Sequence, residues 1–308
     1  MTRSSTVRFA RSLTALAAVG LVAGATTGLT TTAQAAPRTD WAPAASAAIH
    51  PGVQMYTAGG QCTANFVFTD GAGNTYVGQA AHCAGTGGAT DTDGCKAGSR
   101  PLGTKVDFRE GGSLVSEGTR VGGGTLVYSS WLAMEANGET DAATCAYNDF
   151  ALVKVDAADT GKVNPSVPFF GGPTAVGTTG TGAGANLYSY GNSSLRAGVE
   201  LLSPKYGVSL GTSQGSEGWS TSLYSVTPGV PGDSGSGFLN ARGEAVGTLS
   251  TLGLLPLPAS NNIGDLSHEL AYAQAHSGIS GLALVPGTEK FRATGSGLPG
   301  LPGLPGLG

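Results

Sequence analysis

Glycine restricts how this chain can fold more than any other residue. It occupies 52 of the 308 positions, whereas charged residues make up only 12%. Frequent glycines destabilise helices and supply turns, so they suit many short strands better than a helical core. Hydrophobic residues still account for 40% of the chain, which is enough to build a core and argues against disorder. We therefore expect an all-β protein with many turns.

Short apolar runs bounded by turn residues predict strands along most of the chain, at 64–69, 74–81, 149–155, 185–191, 206–211 and 237–251. The last run contains a turn at residues 241–243. One segment, 265–278, predicts a helix, because Asp265 or Ser267 can cap it and Leu266, Leu270 and Ala273 share one face. Many strands followed by one late helix favour β-barrels.

Residues 1–35 have the pattern of a secretory signal peptide. Three arginines precede an apolar run from Leu13 to about Ala23, and Ala33-Gln34-Ala35 fits a cleavage site. The run is too short to cross a membrane comfortably, which disfavours an N-terminal anchor. We expect a secreted, extracellular protein whose mature chain starts with a short, loose leader over residues 36–50.

The other end of the chain repeats Gly-Leu-Pro. The repeat is far too short for a collagen triple helix, so we expect a flexible tail over residues 291–308. The net charge of −4 and the absence of a Lys/Arg cluster argue against a nucleic-acid partner. We also expect no membrane partner and a monomer.

An exported chain with four cysteines is expected to form two disulfides, from Cys62, Cys83, Cys95 and Cys145. Four cysteines allow three pairings. If Thr69 pairs with Tyr76 across the turn at residues 70–73, the first two cysteines lie opposite each other in the same register. This favours pairing the first with the second and the third with the fourth. No C-x-x-C pair occurs and no histidine joins these cysteines, so we expect no metal site.

A serine can act as a nucleophile only when a base accepts its proton. The stretch "GVPGDSGSGF" (229–238) places Ser234 on a bare, glycine-rich backbone. Of the four histidines, two fall on the predicted helix and one in the leader. His82 differs, because it ends a strand beside a cysteine.

Three motifs now make a resemblance visible. "QAAHC" (79–83), "NDFALV" (148–153) and "GDSGSG" (232–237) resemble the histidine, aspartate and serine motifs of chymotrypsin-fold serine proteases, in that family's order. "AVGTLSTLG" (245–253) resembles the strand that follows the nucleophile. The resemblance extends over roughly residues 52–290 and is nearest in style to secreted bacterial members.

The family's architecture would be two six-stranded antiparallel β-barrels with a C-terminal helix. The resemblance places the first barrel at residues 51–168 and the second at 169–290. The stretch between His82 and Asp149 is longer than in compact members, so we expect a surface insertion tied by the second disulfide.

The resemblance also implies a role for each motif residue. Ser234 would attack the scissile carbonyl of a protein or peptide substrate, with His82 as general base and then general acid and Asp149 orienting it. The backbone N–H groups of Gly232 and Ser234 would form the oxyanion hole, with Asp233 buried behind them. This chemistry needs no cofactor.

The substrate-binding residues implied by the resemblance are Pro228, Ser250, Thr251 and Leu252. Pro228 stands where family members that prefer Lys or Arg carry an aspartate, and Leu249 stands where Glu-selective members place a histidine. An apolar or mixed preference is therefore expected, and Leu252 could narrow the pocket. Ser236 replaces the usual second glycine after the nucleophile, which a small residue should tolerate.

Two other functions remain open: an esterase with the same acyl-enzyme chemistry, and a non-catalytic binding protein on the protease fold. An α/β-hydrolase is disfavoured, because His82 lies upstream of Ser234 and the chain after the serine reads as strand, turn and strand. In many animal members of the family that the chain resembles, cleavage frees an Ile-Val-Gly-Gly-type N-terminus whose amine pairs with the aspartate at the position of Asp233. No such segment occurs between Ala36 and Cys62, so we expect activity without this kind of N-terminal activation. Asp233 then needs an internal partner, either backbone donors or an arginine from the second barrel, for which Arg196 is the candidate.

Overall fold

The computed structural model describes residues 40–88, 93–253 and 260–294. These segments contain fourteen strands and three α-helices. The strands β1 to β14 are Gln54–Thr57, Gly60–Thr63, Val67–Thr69, Thr75–Gln79, Lys105–Glu110, Thr119–Ser129, Ala151–Val155, Asn186–Tyr190, Pro204–Thr212, Ser220–Ser225, Gly237–Asn240, Ala245–Gly253, Ser260–Asp265 and Ala283–Leu284. The helices α1 to α3 are Ser130–Asn137, Ala142–Tyr147 and Leu266–His276.

The second half of the chain forms a closed six-stranded antiparallel barrel, as predicted. Its strands are joined in the order β10-β13-β12-β11-β8-β9. Glycine and serine alternate with apolar residues in these strands, and the apolar side chains fill the barrel. They are Leu187, Leu223, Phe238, Val246, Leu249 and Ile263, all buried.

The first half differs from the predicted six-stranded barrel. It is an eight-stranded sheet in the order β14-β3-β4-β7-β6-β5-β1-β2. Its first two strands, β1 and β2, form a hairpin that turns at Ala58 and Gly59, both at positive φ. It also includes β14, which lies in the segment assigned to the second barrel but pairs with β3. The all-β class holds, whereas the strand count of this half was wrong.

Residues 40–50, expected to be loose, are packed against the first half. The Ala42 N–H donates to the Val163 carbonyl at 2.9 Å, and Ile49 forms a parallel bridge with Val163. Ile49 is fully buried in the core of this half. At the other end, Phe291 packs edge-on against Tyr188 and the Arg292 N–H donates to Phe170. Residues 291 and 292, which were assigned to the flexible tail, are therefore held against the fold. The Gly-Leu-Pro repeat and the signal segment lie outside the described residues.

The expected register of the β3–β4 hairpin was wrong by one residue. Thr69 pairs with Thr75 rather than Tyr76. The observed pairing leaves residues 70–74 in the turn, one residue fewer than the expected pairing, and the Asp70 carboxylate holds this shorter turn by accepting the backbone N–H groups of Ala72 and Asn74. Even so, the structure joins Cys62 to Cys83 and Cys95 to Cys145. The first bridge links β2 to the segment after β4, instead of facing positions of one hairpin.

The stretch between His82 and Asp149 is not a surface insertion. It supplies β5 and β6 to the sheet and also contains α1 and α2, which the sequence analysis did not predict. Trp131 and Met134 of α1 are buried in the core of the first half. Gly138 ends α1 at positive φ, and Asp141 caps α2 by accepting the Thr144 N–H.

Helix α3 begins and ends close to its prediction. Asp265 caps it by accepting the His268 N–H. Its face of Leu266, Leu270 and Ala273 is buried with aromatic residues from both halves of the chain, such as Phe150 and Phe170. The described helices include none that is long and apolar enough to cross a membrane.

Candidate active site

A cleft of about 640 Å³ runs between the sheet and the barrel. His82, Asp149 and Trp131 line it from the first half of the chain, while Ser234 and Leu249 line it from the second half. The three residues that the sequence analysis assigned to catalysis therefore lie in one cleft, although 152 residues separate the first from the last in the chain.

The side chains of His82 and Asp149 form a short pair. His82 Nδ1 lies 2.6 Å from Asp149 Oδ2, and the His82 backbone N–H donates to Oδ1 at 2.8 Å. A hydroxyl donor that was not predicted, Ser250 Oγ, also reaches Oδ2 at 2.6 Å. Because the carboxylate accepts, Nδ1 carries the proton, and Nε2 is left as the basic nitrogen of the neutral ring.

The two groups shift each other's protonation. Burial alone would raise the pKa of Asp149, but the His82 charge and the hydrogen bonds from His82 and Ser250 lower it below its usual value. Burial alone would lower the pKa of His82, but Asp149 outweighs burial and raises it. Asp149 is 7% exposed and His82 28%, so the imidazole reaches the cleft while the carboxylate stays behind it. In this arrangement, the Asp149 carboxylate orients the His82 imidazole, which can act as a base toward the cleft.

Local structure fixes both residues. His82 lies on a short 3₁₀-helix, Ala81–Ala84, that follows β4, and its neighbour Cys83 is bridged to Cys62 on β2. Asp149 lies between α2 and β7. His82 also approaches the sulfurs of Cys62 and Cys83, but a disulfide offers no thiolate to a metal.

The loop of residues 229–236, called the nucleophile loop below, carries Ser234. The Ser234 carbonyl accepts the Thr63 N–H at 2.8 Å, and the Gly235 N–H donates to Leu249. Gly235 has a φ of +87°, and a Cβ there would lie 2.6 Å from the Thr63 carbonyl oxygen. Glycine is therefore required at 235 for two reasons: the backbone conformation and the close approach of β2.

The nucleophile loop contributes Gly232 and Ser234 to the lining of the cleft. Among the residues that the structure describes, no protein acceptor meets the N–H of Gly232 or of Ser234. Gly232 adopts a φ of +95°, and a Cβ there would lie 2.1 Å from Gln61 Oε1. Both N–H groups can receive an oxygen that gains negative charge.

Asp233 is fully buried behind these donors. Its Oδ2 lies 2.6 Å from Arg196 Nη2 and 2.9 Å from Lys205 Nζ. The backbone N–H groups of Ser193 and Val230 donate to its two oxygens. Burial would raise the pKa of Asp233, but the two cations outweigh it and lower the pKa. Arg196 was the partner named from sequence, whereas Lys205 was missed.

A signal for Lys205 does exist in the sequence. The strand run after it alternates, and Lys205 stands two residues before Gly207, on the side of β9 that is buried. A lysine at an inward position of a strand needs a carboxylate partner. The predicted strand, 206–211, began one residue too late to include it.

The predicted substrate-binding residues have different positions in the structure. Thr251 and Ser250 line the cleft, although the Ser250 hydroxyl is bound to Asp149. Pro228 does not line it; its carbonyl accepts Arg196 Nη2 at 3.0 Å. Leu252 belongs to β12, and its side chain lies outside what the structure describes. Asn261, which sequence reasoning missed, lines the cleft and accepts the Gly229 N–H at 2.8 Å.

A second missed residue is Glu269 on α3. It is fully buried, and its Oε1 accepts the Asp149 backbone N–H at 3.3 Å. Burial, together with the Asp149 and Asp265 carboxylates, raises the pKa of Glu269 well above its usual value. It lies directly behind Asp149, and the direction of the shift favours its neutral form. The sequence analysis did not single it out.

No protein-family model matches the chain, and no curated protein matches it in sequence. Solved structures similar to it include Thermobifida fusca protease A, with 20% identity, 78% of this chain and 99% of that chain covered, and a TM-score of 0.46. Nocardiopsis protease has 18% identity, 77% and 98% coverage and a TM-score of 0.44. Cellulomonas bogoriensis chymotrypsin has 15% identity, 77% and 98% coverage and a TM-score of 0.41.

Proposed function

We propose that the protein is a secreted serine endopeptidase that hydrolyses peptide bonds through an acyl-enzyme. One observation carries the proposal: the His82–Asp149 pair opens onto the same cleft as Ser234 and the two unpaired N–H groups of the nucleophile loop. A base, a hydroxyl and an oxyanion site in one cleft are the requirements of nucleophilic acyl transfer.

In the first step, Ser234 Oγ forms a bond to the carbonyl carbon of the substrate as His82 Nε2 accepts the hydroxyl proton. The carbonyl oxygen becomes an oxyanion, and the N–H groups of Gly232 and Ser234 stabilise it. Asp149 stabilises the imidazolium that forms at this point. His82 then gives its proton to the leaving nitrogen, the C–N bond breaks, and the amine product departs.

In the second step, water attacks the ester carbon of the acyl-enzyme while His82 accepts a proton from the water. The oxyanion forms again in the same site. Its collapse breaks the bond to Ser234 Oγ, which recovers its proton from His82, and a free acid leaves. No step requires an electron acceptor or a further reactant besides water.

The test uses the purified secreted protein with a fluorophosphonate probe and, separately, with casein. We expect one covalent adduct, on Ser234 by peptide mapping, and casein hydrolysis that the probe abolishes. Ser234→Ala and His82→Ala should each lower kcat by several orders of magnitude without unfolding the protein, because the catalytic residues act as a unit. Ser216→Ala, which changes a buried serine remote from the cleft lining, is the control.

The two rival functions give different results in the same assays. An esterase would be labelled at Ser234 and would cleave ester substrates but leave casein intact. A binding protein without catalysis would bind peptides and would show no adduct. Near-normal activity in purified Ser234→Ala would contradict the proposed mechanism altogether.

A further inference from the structure

Ser193 lies directly beneath the nucleophile loop, just before a short 3₁₀-helix, Ser194–Arg196. It is 1% exposed, and its Oγ lies 2.5 Å from the carbonyl oxygen of Pro231. The hydroxyl must be the donor, because a carbonyl has no proton. The same Oγ accepts the Leu195 N–H at 3.1 Å, which orients the hydroxyl from the other side.

The Pro231 carbonyl belongs to the same peptide group as the Gly232 N–H. In a planar trans peptide the C=O and N–H bonds point in opposite directions. A hydrogen bond that holds the Pro231 carbonyl toward Ser193 therefore directs the Gly232 N–H toward the cleft. This N–H is one of the two that meet no protein acceptor within the described segments.

The backbone alone does not select this orientation. Gly232 has a φ of +95°. A half-turn of the preceding peptide would bring φ to roughly −85° and would direct the N–H away from the cleft, and glycine populates both regions about equally. A contact outside the loop must therefore make the choice.

The other contacts of the loop act on different peptide groups. Thr63 Oγ1 and Gln61 Nε2 hold the Gly232 carbonyl at 2.7 and 3.0 Å, which fixes the peptide after Gly232. Asp233 is held by its buried cations. The Ser193 hydroxyl is the side-chain contact, among the described residues, that acts on the peptide carrying the Gly232 N–H.

We propose that Ser193 is a positioning residue that sets the oxyanion hole, by holding the Pro231–Gly232 peptide with its N–H toward the cleft. The inference rests on the proposed function, since an oxyanion hole matters only if Ser234 acylates. Ser193 does not touch the substrate. It acts through the direction of one backbone donor.

The experiment compares Ser193→Ala with Ser193→Cys, whose thiol is a weak donor of similar shape. Removing an oxyanion donor outright lowers kcat by about 10²–10³-fold. Here the donor stays but loses its orientation, so we expect kcat to fall about 10- to 100-fold in Ser193→Ala, with KM within about twofold. Ser193→Cys should lie between Ser193→Ala and the unchanged protein.

Two further measurements separate positioning from general damage. A peptide aldehyde, which forms a tetrahedral adduct with an oxyanion, should lose affinity by the same factor as kcat/KM. The product peptide, which forms no oxyanion, should bind equally to both proteins. Ser194→Ala removes the adjacent hydroxyl, for which the described part of the chain offers no partner, and should leave kcat unchanged.

The inference is wrong if Ser193→Ala keeps its kcat, or if aldehyde and product affinities fall together. If Ser193→Ala does not fold, the kcat and aldehyde affinity of Ser193→Cys decide by the same criteria. If the unchanged protein hydrolyses peptides and the Ser193 variants have the same kcat and aldehyde affinity, the proposed function stands and this inference fails. If the unchanged protein shows no adduct at Ser234, both fail.

Discussion

The two halves of the cleft hold their reactive groups by different means. In the first half, the Cys62–Cys83 disulfide anchors the short helix that carries His82. The second half contains no cysteine. There, the nucleophile loop is held by the buried carboxylate of Asp233, with Arg196 and Lys205 on the same oxygen.

The difference shows which conditions the disulfide and the buried ion cluster each depend on. A disulfide stabilises chiefly by restricting the unfolded chain, so it depends on the redox state and hardly on pH. A buried ion cluster depends on every member keeping its charge. Burial lowers the pKa of Lys205, and the Asp233 carboxylate opposes that shift. Loss of Asp233 would therefore leave cations buried without a counter-charge.

The largest effect is expected from breaking the buried ion cluster around Asp233. Asp233→Asn should lower the free energy of unfolding by about 3–5 kcal/mol, because Lys205 is fully buried and loses its charge partner. Urea unfolding at pH 7 measures this. Asp93→Asn, in an exposed pair with Lys96, is the matched control and should change stability by less than about 1 kcal/mol. Equal effects of the two substitutions would remove the contrast drawn between the halves.

The next effect comes from removing the disulfides. Cys62 and Cys83 are separated by 21 positions in the chain and Cys95 and Cys145 by 50, so loss of either bridge should cost about 3–4 kcal/mol in the chain-entropy model. Activity should respond differently, because only the first bridge includes the neighbour of His82. We expect the double serine variant at 62 and 83 to lose most of its kcat at a temperature where it is folded.

The double serine variant at 95 and 145 is the control for that experiment. It should lose comparable stability and retain most of its kcat. Similar kcat values for the two variants, measured well below both unfolding temperatures, would show that the first bridge does not position His82.

A third effect tests the contact between Glu269 of α3 and Asp149. The pKa of Glu269 is raised in the folded protein, whereas the unfolded chain ionises near its ordinary value of 4.5. Above that pH the folded protein retains a proton that the unfolded chain has released, so stability falls as pH rises toward the folded pKa. Glu269→Gln is always neutral and keeps an acceptor for the Asp149 N–H.

The two proteins should therefore be about equally stable near pH 4. Above it, Glu269→Gln should gain up to about 1.4 kcal/mol per pH unit relative to the unchanged protein, until the folded pKa is reached. Unfolding series at several pH values measure the gap. Glu135→Gln, at an exposed position of α1, should show no such trend. A gap that does not change with pH would mean that Glu269 is ionised in the folded protein.

The same contrast between the halves explains what the sequence could predict. The nucleophile loop was readable because its glycines and its Asp-Ser pair are consecutive, and the closed barrel followed from short strands and turns. The eight-stranded sheet was not, because β14 joins it from over 100 residues away in the chain, after the barrel. The two residues of β14 are too few to show an alternating pattern, so the sequence does not indicate that they pair with a distant strand.

Long-range polar contacts were hidden for a similar reason. Glu269 and Ser250 reach Asp149 from 120 and 101 residues away, and neither carries a local motif that marks it as a partner. The expected hairpin register was wrong because the Asp70 carboxylate, by accepting the Asn74 N–H, closes a turn that is one residue shorter than the expected pairing required. The sequence pattern shows how apolar and polar residues alternate along a strand, but it does not show which carboxylate lies near that strand in the folded protein.

The smallest expected effect concerns the N-terminus. If an N-terminal amine were needed to hold Asp233, blocking it would abolish activity. Here Arg196, Lys205 and two backbone N–H groups already bind both carboxylate oxygens and supply the counter-charge, so an N-terminal amine is not needed to hold Asp233. We expect the mature chain carrying an uncleavable tag ahead of residue 36 to match the untagged protein in kcat and KM within about twofold. Active-site titration with the fluorophosphonate normalises the two preparations, and N-terminal sequencing after the assay verifies that the tag is intact. A tagged protein that is latent, and gains activity only when a new amine is exposed near residue 50, would show that the buried cations do not suffice to order the nucleophile loop.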